Sequence, residues 1–131
     1  MIRSLLHKAV LLVAGATALY IGGSIVISPD AFYAAYNISL SGDASLANEL
    51  RAMGGGLLML GLLTLSGLMI PGLTLASTLL AASMFLAYAA TRFLSLGLDG
   101  QPDSGLVTAM IAELVIGLAS LAALIAARRT A

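Results

Sequence analysis

Four stretches of this chain run for about twenty residues or more with almost no ionisable side chain, and they constrain the fold more than any other feature. They are residues 9–27, with no charge; 50–70, uncharged after Arg51; 73–98, charged only at Arg92; and 106–127, charged only at Glu113. A helix needs about 20 apolar residues to cross a hydrocarbon core roughly 30 Å thick. The expected fold is therefore an all-α membrane protein, a four-transmembrane-helix bundle that forms one domain over residues 1–131. Composition agrees: 60% of residues are hydrophobic and 9% charged, against about 25% charged in soluble domains, and the mean hydropathy is +1.07.

The ends of the spans are marked locally. Pro71-Gly72 closes the second with a tight turn, and Arg128-Arg129 stops the fourth at an interface. The first has a basic start (Arg3, Lys8), but its apolar run continues eleven residues past Ala16. A signal peptide ends its hydrophobic region, of about 7–15 residues, at the cleavage site, so a retained span is expected.

Lysine and arginine in the flanks set the expected orientation. Arg3 and Lys8 precede the first span, and Arg128 and Arg129 follow the last. Asp30, Asp43, Glu49, Asp99 and Asp103 fall in the first and third loops, with Arg51 as the one base there. Four spans put both termini on one side. The expectation is a multi-pass protein of a bacterial inner membrane, with both termini cytoplasmic and the acidic loops outside.

The first loop is long enough to hold structure. Ser28-Pro29-Asp30 reads as a helix start, and Phe32, Tyr33 and Tyr36 follow at helical spacing. A short interfacial helix over about residues 29–36 is expected, because aromatic rings of this kind favour the membrane surface. Residues 39–43 read as a turn, with Asp43 capping the second long helix. The third loop, residues 99–105, reads as a polar turn.

Helices in lipid associate largely through close packing of small residues. Stripes at intervals of four are present in all spans: Ala14, Ala18 and Gly22; Ala52 and Gly56; Ser83, Ala87 and Thr91; Ala119, Ala123 and Ala127. The run Gly54-Gly55-Gly56 fits packing, and also fits a helix irregularity beside a ligand.

Several chemistries are excluded or disfavoured. The chain has no cysteine and one histidine, His7. Thiolate chemistry and multi-histidine metal sites are therefore absent, and no cofactor or metal is expected. The formal net charge is zero and no basic stripe is present, so nucleic acid is not an expected partner.

The ionisable residues inside spans are the candidates for function. Arg92 lies six residues before the end of the third span and Glu113 seven after the start of the fourth. At 1.5 Å per residue both sit about 9–10 Å below the outer edge. An ion pair between them is the simplest way to lower the cost of either charge. Asn48, Arg51 and Gly55 share one face of the second span, while Glu49 points elsewhere. Tyr88 lies one turn deeper than Arg92. The expected outer-half pocket is lined by Asn48, Arg51, Tyr88, Arg92 and Glu113. The simpler reading is that these groups satisfy one another and hold the helices in register; the other is that they bind a headgroup, an anion or a proton. Arg51 also fits snorkelling to the headgroups. Asp99 and Asp103, four apart in a Gly/Pro loop, fit a solvated turn better than a cation site.

The pattern Asn48-Glu49-Leu50-Arg51-Ala52 followed by a glycine pair, Arg92 with Ser95 and Asp99-Gly100-x-Pro102, then Glu113-Leu114, resembles the small bacterial membrane proteins grouped as domain of unknown function 4345. The resemblance covers nearly the whole chain. It implies a four-helix membrane protein with no established biochemical role, and marks Asn48, Glu49, Arg51, Arg92, Asp99 and Glu113 as positions to test. A looser similarity, in size and topology only, is to DoxX-like membrane proteins.

Two functional expectations remain. The first is a non-catalytic accessory or assembly component, or a homo-oligomer, embedded in the lipid bilayer. The alternative is a binder or carrier of a small lipophilic or anionic ligand, such as a lipid or a quinone-like molecule, in the outer-half pocket. Catalysis is disfavoured, since no nucleophile–base pair or metal-ligand arrangement is present.

Overall fold

The computed structural model describes residues 2–128, with side-chain surroundings for residues 5–127. Of the basic residues at the two ends, Arg129 lies outside the described residues, and the side chains of Arg3 and Arg128 lie outside the described surroundings. Five helices follow one another: α1 (Ile2–Ile27), α2 (Pro29–Ala34), α3 (Ala44–Met69), α4 (Thr74–Asp99) and α5 (Ser104–Arg128), with one 3-10 turn at Pro71–Leu73. Four of them are long and apolar enough to cross a membrane. Helices suit that solvent because each satisfies its own backbone groups.

The bundle runs α1, α3, α4, α5 around a ring, and α1 also touches α4 across it. Neighbours around the ring are antiparallel, as four alternating passes require. The central packing layer joins Ala14 and Ala18 of α1, Leu57 of α3, and Ala81, Met84 and Phe85 of α4. The outward face carries Leu, Ile, Val and Met side chains, such as Leu12, Val13, Leu62, Leu63, Leu94 and Val115, as a lipid-facing surface should.

The most extensive contact is between α1 and α3, and glycine makes it. A Cβ on Gly61 would lie 2.7 Å from the Leu19 nitrogen and 3.0 Å from the Gly15 carbonyl oxygen. A Cβ on Gly22 would lie 2.7 Å from the Gly54 carbonyl oxygen. The two backbones thus meet where only hydrogen atoms fit between them. This corrects part of the small-residue expectation. On α3 the packed stripe is Gly54, Leu57, Gly61, Thr64 and Gly67, whereas Ala52 and Gly56 face outward. On α4 the packed face is Ser77, Ala81, Met84, Phe85 and Ala89, with Ser83, Ala87 and Thr91 outside it. A four-residue interval does not single out the packed face, because a stripe of that period also exists on faces outside the packed core. The expectation for α1 agrees with the structure at Ala14, Ala18 and Gly22, as does Ala123 on α5.

Hydroxyls pin the α3–α4 hairpin beside Pro71. Thr74 Oγ1 donates to the Gly67 carbonyl at 2.9 Å, and Ser77 Oγ to the Leu63 carbonyl at 2.9 Å. At the other end of the bundle, Asp43 caps α3 by accepting from the Ser45 and Leu46 amides. Arg51 Nε donates to the Val26 carbonyl, an orphan acceptor in the last turn of α1. Gly100, at φ 95°, turns the chain out of α4 in a conformation that L side chains rarely adopt.

The glycine contact yields a paired expectation. Gly61→Ala should lower stability in detergent by about 1–3 kcal/mol, because the added methyl meets backbone that cannot yield. Gly56→Ala, where nothing lies within 4 Å, should be neutral or raise stability by up to about 1 kcal/mol through helix propensity. Thermal unfolding of the two variants checks this; equal effects would overturn the account.

Candidate functional site

Arg92 and Glu113 are brought together by the antiparallel α4–α5 pair. Arg92 Nε donates to Glu113 Oε2 at 2.7 Å, with the arginine side chain 34% exposed and the glutamate 11%. That distance is in the range of a charge-assisted hydrogen bond. Neighbouring contacts hold the register: deeper in the same helix pair, a Cβ on Gly117 would strike the Leu86 side chain at 2.8 Å.

The pair forms one wall of a cavity of about 360 Å³ between α1, α3, α4 and α5. Its sides are apolar: Ala18, Ile21 and Ile25 from α1, Met53 and Leu57 from α3, Phe85 from α4, and Leu106 and Ala109 from α5. Its polar groups gather at one end, where Tyr88, Thr91 and Ser95 accompany Arg92 and Glu113.

The aromatic residues of the first loop cover that end. Phe32, Tyr33 and Tyr36 all line the cavity, as does Ile38. Phe32 meets the rings of Tyr33 and Tyr36 edge-on, with centroids 5.1 and 5.5 Å apart. The segment after α2 is tied to α5: Asn37, held at φ 59°, donates through Nδ2 to Asp103 Oδ2 at 2.7 Å. Asp103 Oδ1 accepts the Gly105 amide, and a Cβ on Gly105 would lie 2.9 Å from the Tyr36 ring. Burial raises the Tyr33 phenol above its usual pKa; the nearby Arg92 charge opposes that, and Tyr88 and Tyr36 add to it.

The residues singled out from the sequence thus divide. Tyr88, Arg92 and Glu113 line the cavity together. Asn48, Glu49 and Arg51 do not; all three are exposed. The reason is rotational: α3 turns Gly54 and Leu57 inward to meet α1, which carries Asn48 and Arg51 away from α4. Asp99 accepts from Ser95 Oγ at 2.8 Å, while Asp103 serves the Asn37 and Gly105 contacts, so each carboxylate is engaged separately. Among the described residues no three side chains of His, Cys, Asp or Glu come together as a metal site would need. Sequence reasoning missed Phe32, Tyr33 and Tyr36 as cavity residues. Their spacing on and just after α2 was legible, but the link that folds this segment inward depends on Asn37 and Asp103, 66 residues apart.

Removing one partner of the pair leaves a poorly solvated charge. Arg92→Gln and Glu113→Gln should each cost about 3 kcal/mol, and the double substitution should recover most of one loss. A double-mutant cycle of unfolding in mixed micelles checks this. Strict additivity would mean that the two charges do not depend on each other.

No curated protein and no solved structure is significantly similar to this chain. The family model described as Domain of unknown function (DUF4345) matches residues 6–124. Four helices of this chain are long and apolar enough to cross a membrane, and with nearly all of its length covered by that match the chain belongs to the DUF4345 family, whose activity is uncharacterised.

Proposed function

We propose that this protein is a non-catalytic membrane component that holds a small lipophilic molecule in the cavity beneath α2. The observation that carries the reading is the composition of the cavity. Apolar walls from four helices converge on one ion pair and three tyrosines. Ligand pockets have this character, largely apolar with a few placed polar groups, at volumes of about 300–1,000 Å³. Catalysis would need a group to attack or a base to activate it, and the polar end offers an ion pair whose charges are committed to each other.

Native mass spectrometry of the protein released from mild detergent tests the proposal. The wild type should carry a small apolar molecule. Ala109→Phe, which fills the cavity, should lose it, and Arg92→Gln should weaken its retention about tenfold, the equivalent of one hydrogen bond to a charged group. A bare wild type, or retention by both variants, would sink the reading.

A second reading, as an assembly subunit or homo-oligomer, draws on the outward face of α3. Ala52 and Gly56 are exposed there, and nothing lies within 4 Å of a Cβ at Gly55 or Gly56. Such a face admits a second backbone at close range. The same spectra count subunits, and a monomer in every detergent removes this reading.

We place the protein in the cytoplasmic membrane with both termini inside, so that α2 and Arg92 lie toward the outer face. The basic residues before the first apolar stretch and after the last, against the acidic links at the other end, support this orientation. The chain has no native cysteine, so Gln101→Cys should react with a membrane-impermeant thiol reagent in intact cells. The reverse result, with reaction only after lysis, would invert the topology.

A further inference from the structure

The cavity has a charged pair but no net charge, and it is not sealed on all sides. Both facts bear on what it holds and how it is filled. Building on the cavity-binding reading above, we infer that the ligand is a neutral single-chain amphiphile, taken from the bilayer through the gap between the outer halves of α3 and α4.

The headgroup chemistry follows from the pair. Arg92 has five N–H donors, and the bond to Glu113 uses Nε. Among the described residues the guanidinium Nη groups, Glu113 Oε1 and the hydroxyls of Tyr33, Tyr36 and Tyr88 have no hydrogen-bond partner. These offer donors and an acceptor side by side. An anion would gain from Arg92 but be repelled by Glu113, which already balances the arginine charge at 2.7 Å. A hydroxyl or carbonyl headgroup uses both sides without adding charge to a poorly solvated site. The volume suits one chain with a small headgroup better than a two-chain phospholipid.

The route follows from how α3 is held. Its hydroxyl-mediated bonds to α4 lie at the Pro71 end, through Thr74 and Ser77. In the outer half its close contacts are with α1, at Gly22–Gly54 and Val26–Arg51. Among the described residues no hydrogen bond joins α3 to α4 there. The consequence is visible in the cavity lining: Met53 is 56% exposed and still lines the cavity, and Thr91 is exposed as well. On the outside of this gap lies a groove formed by Leu60, Leu80, Ser83, Met84, Ala87, Tyr88 and Thr91. Tyr88 and Thr91 line both spaces, so these two side chains form the partition between groove and cavity. A rotation of the Tyr88 side chain opens it without moving a helix, on the nanosecond-to-microsecond scale of side-chain and local motions. The opposite approach, past α2, is closed by the Asn37–Asp103 bond and the Tyr36 ring on Gly105.

The test uses the full chain in phosphatidylcholine nanodiscs with two photoreactive probes, hexadecanol and hexadecyl sulfate, each carrying a terminal diazirine. Ala87 lies in the groove but not in the cavity, and Ala90 is exposed on α4 and lines neither. Ala87→Cys and Ala90→Cys are each capped with a benzyl methanethiosulfonate, which dithiothreitol removes. The expected result is that hexadecanol labels cavity residues in the wild type and outcompetes hexadecyl sulfate. Capping at position 87 should slow that labelling on the order of tenfold, dithiothreitol should restore it, and capping at position 90 should leave it unchanged. Unchanged labelling in capped Ala87→Cys overturns the lateral route. Stronger labelling by the sulfate overturns the neutral class. Absence of any cavity labelling in the wild type, with either probe, overturns the cavity-binding reading itself, so the two failures are told apart.

Discussion

The contact between α1 and α3 governs the rest of the bundle. At Gly22 and Gly61 the two backbones approach until added carbon would collide with main-chain atoms, and at Gly15 and Gly54 it would collide with the Leu65 and Ile25 side chains. Dispersion and backbone contact, rather than expulsion of water, supply the attraction between helices in lipid. Once α3 is committed to α1 along its length, it cannot also follow α4. The hairpin link at Pro71–Leu73 keeps α3 and α4 together at one end only. The cavity occupies the space left at the other end, and α2 closes its top.

The ion pair is a consequence of that geometry as much as a cause. Two charges inside an apolar bundle are tolerated when each lowers the cost of the other, and Arg92 with Glu113 satisfies this at 2.7 Å. The pair also gives the cavity a polar end without a net charge. A single buried charge in the same place would select for an ion. A compensated pair beside tyrosine hydroxyls offers hydrogen-bonding groups without net charge.

The fold was largely legible in the sequence because lipid simplifies the problem: long uncharged stretches have almost no alternative to helices. Asp43 was recognisable as a cap, and Arg92 and Glu113 as partners, because their depths could be counted at a fixed rise per residue. The rotation of α3 was not legible. Asn48 and Arg51 shared a face with Gly55, but whether that face or the one carrying Gly54, Leu57 and Gly61 meets α1 depends on complementarity between two glycine-bearing surfaces. Period alone does not carry that information. The role of α2 was hidden for a related reason. Phe32, Tyr33 and Tyr36 have the character of membrane-surface residues, and only the remote Asn37–Asp103 bond directs them over the cavity.

The four-residue link between α4 and α5, residues 100–103, bears on how the protein is made. A helix that leaves the insertion machinery alone with an arginine within its span would expose that charge to hydrocarbon, at a cost that reaches about 2.5–3.5 kcal/mol at a helix centre on insertion scales. So short a connection lets Glu113 follow Arg92 into the membrane almost at once. The two helices are thus suited to partition together as a hairpin without net charge.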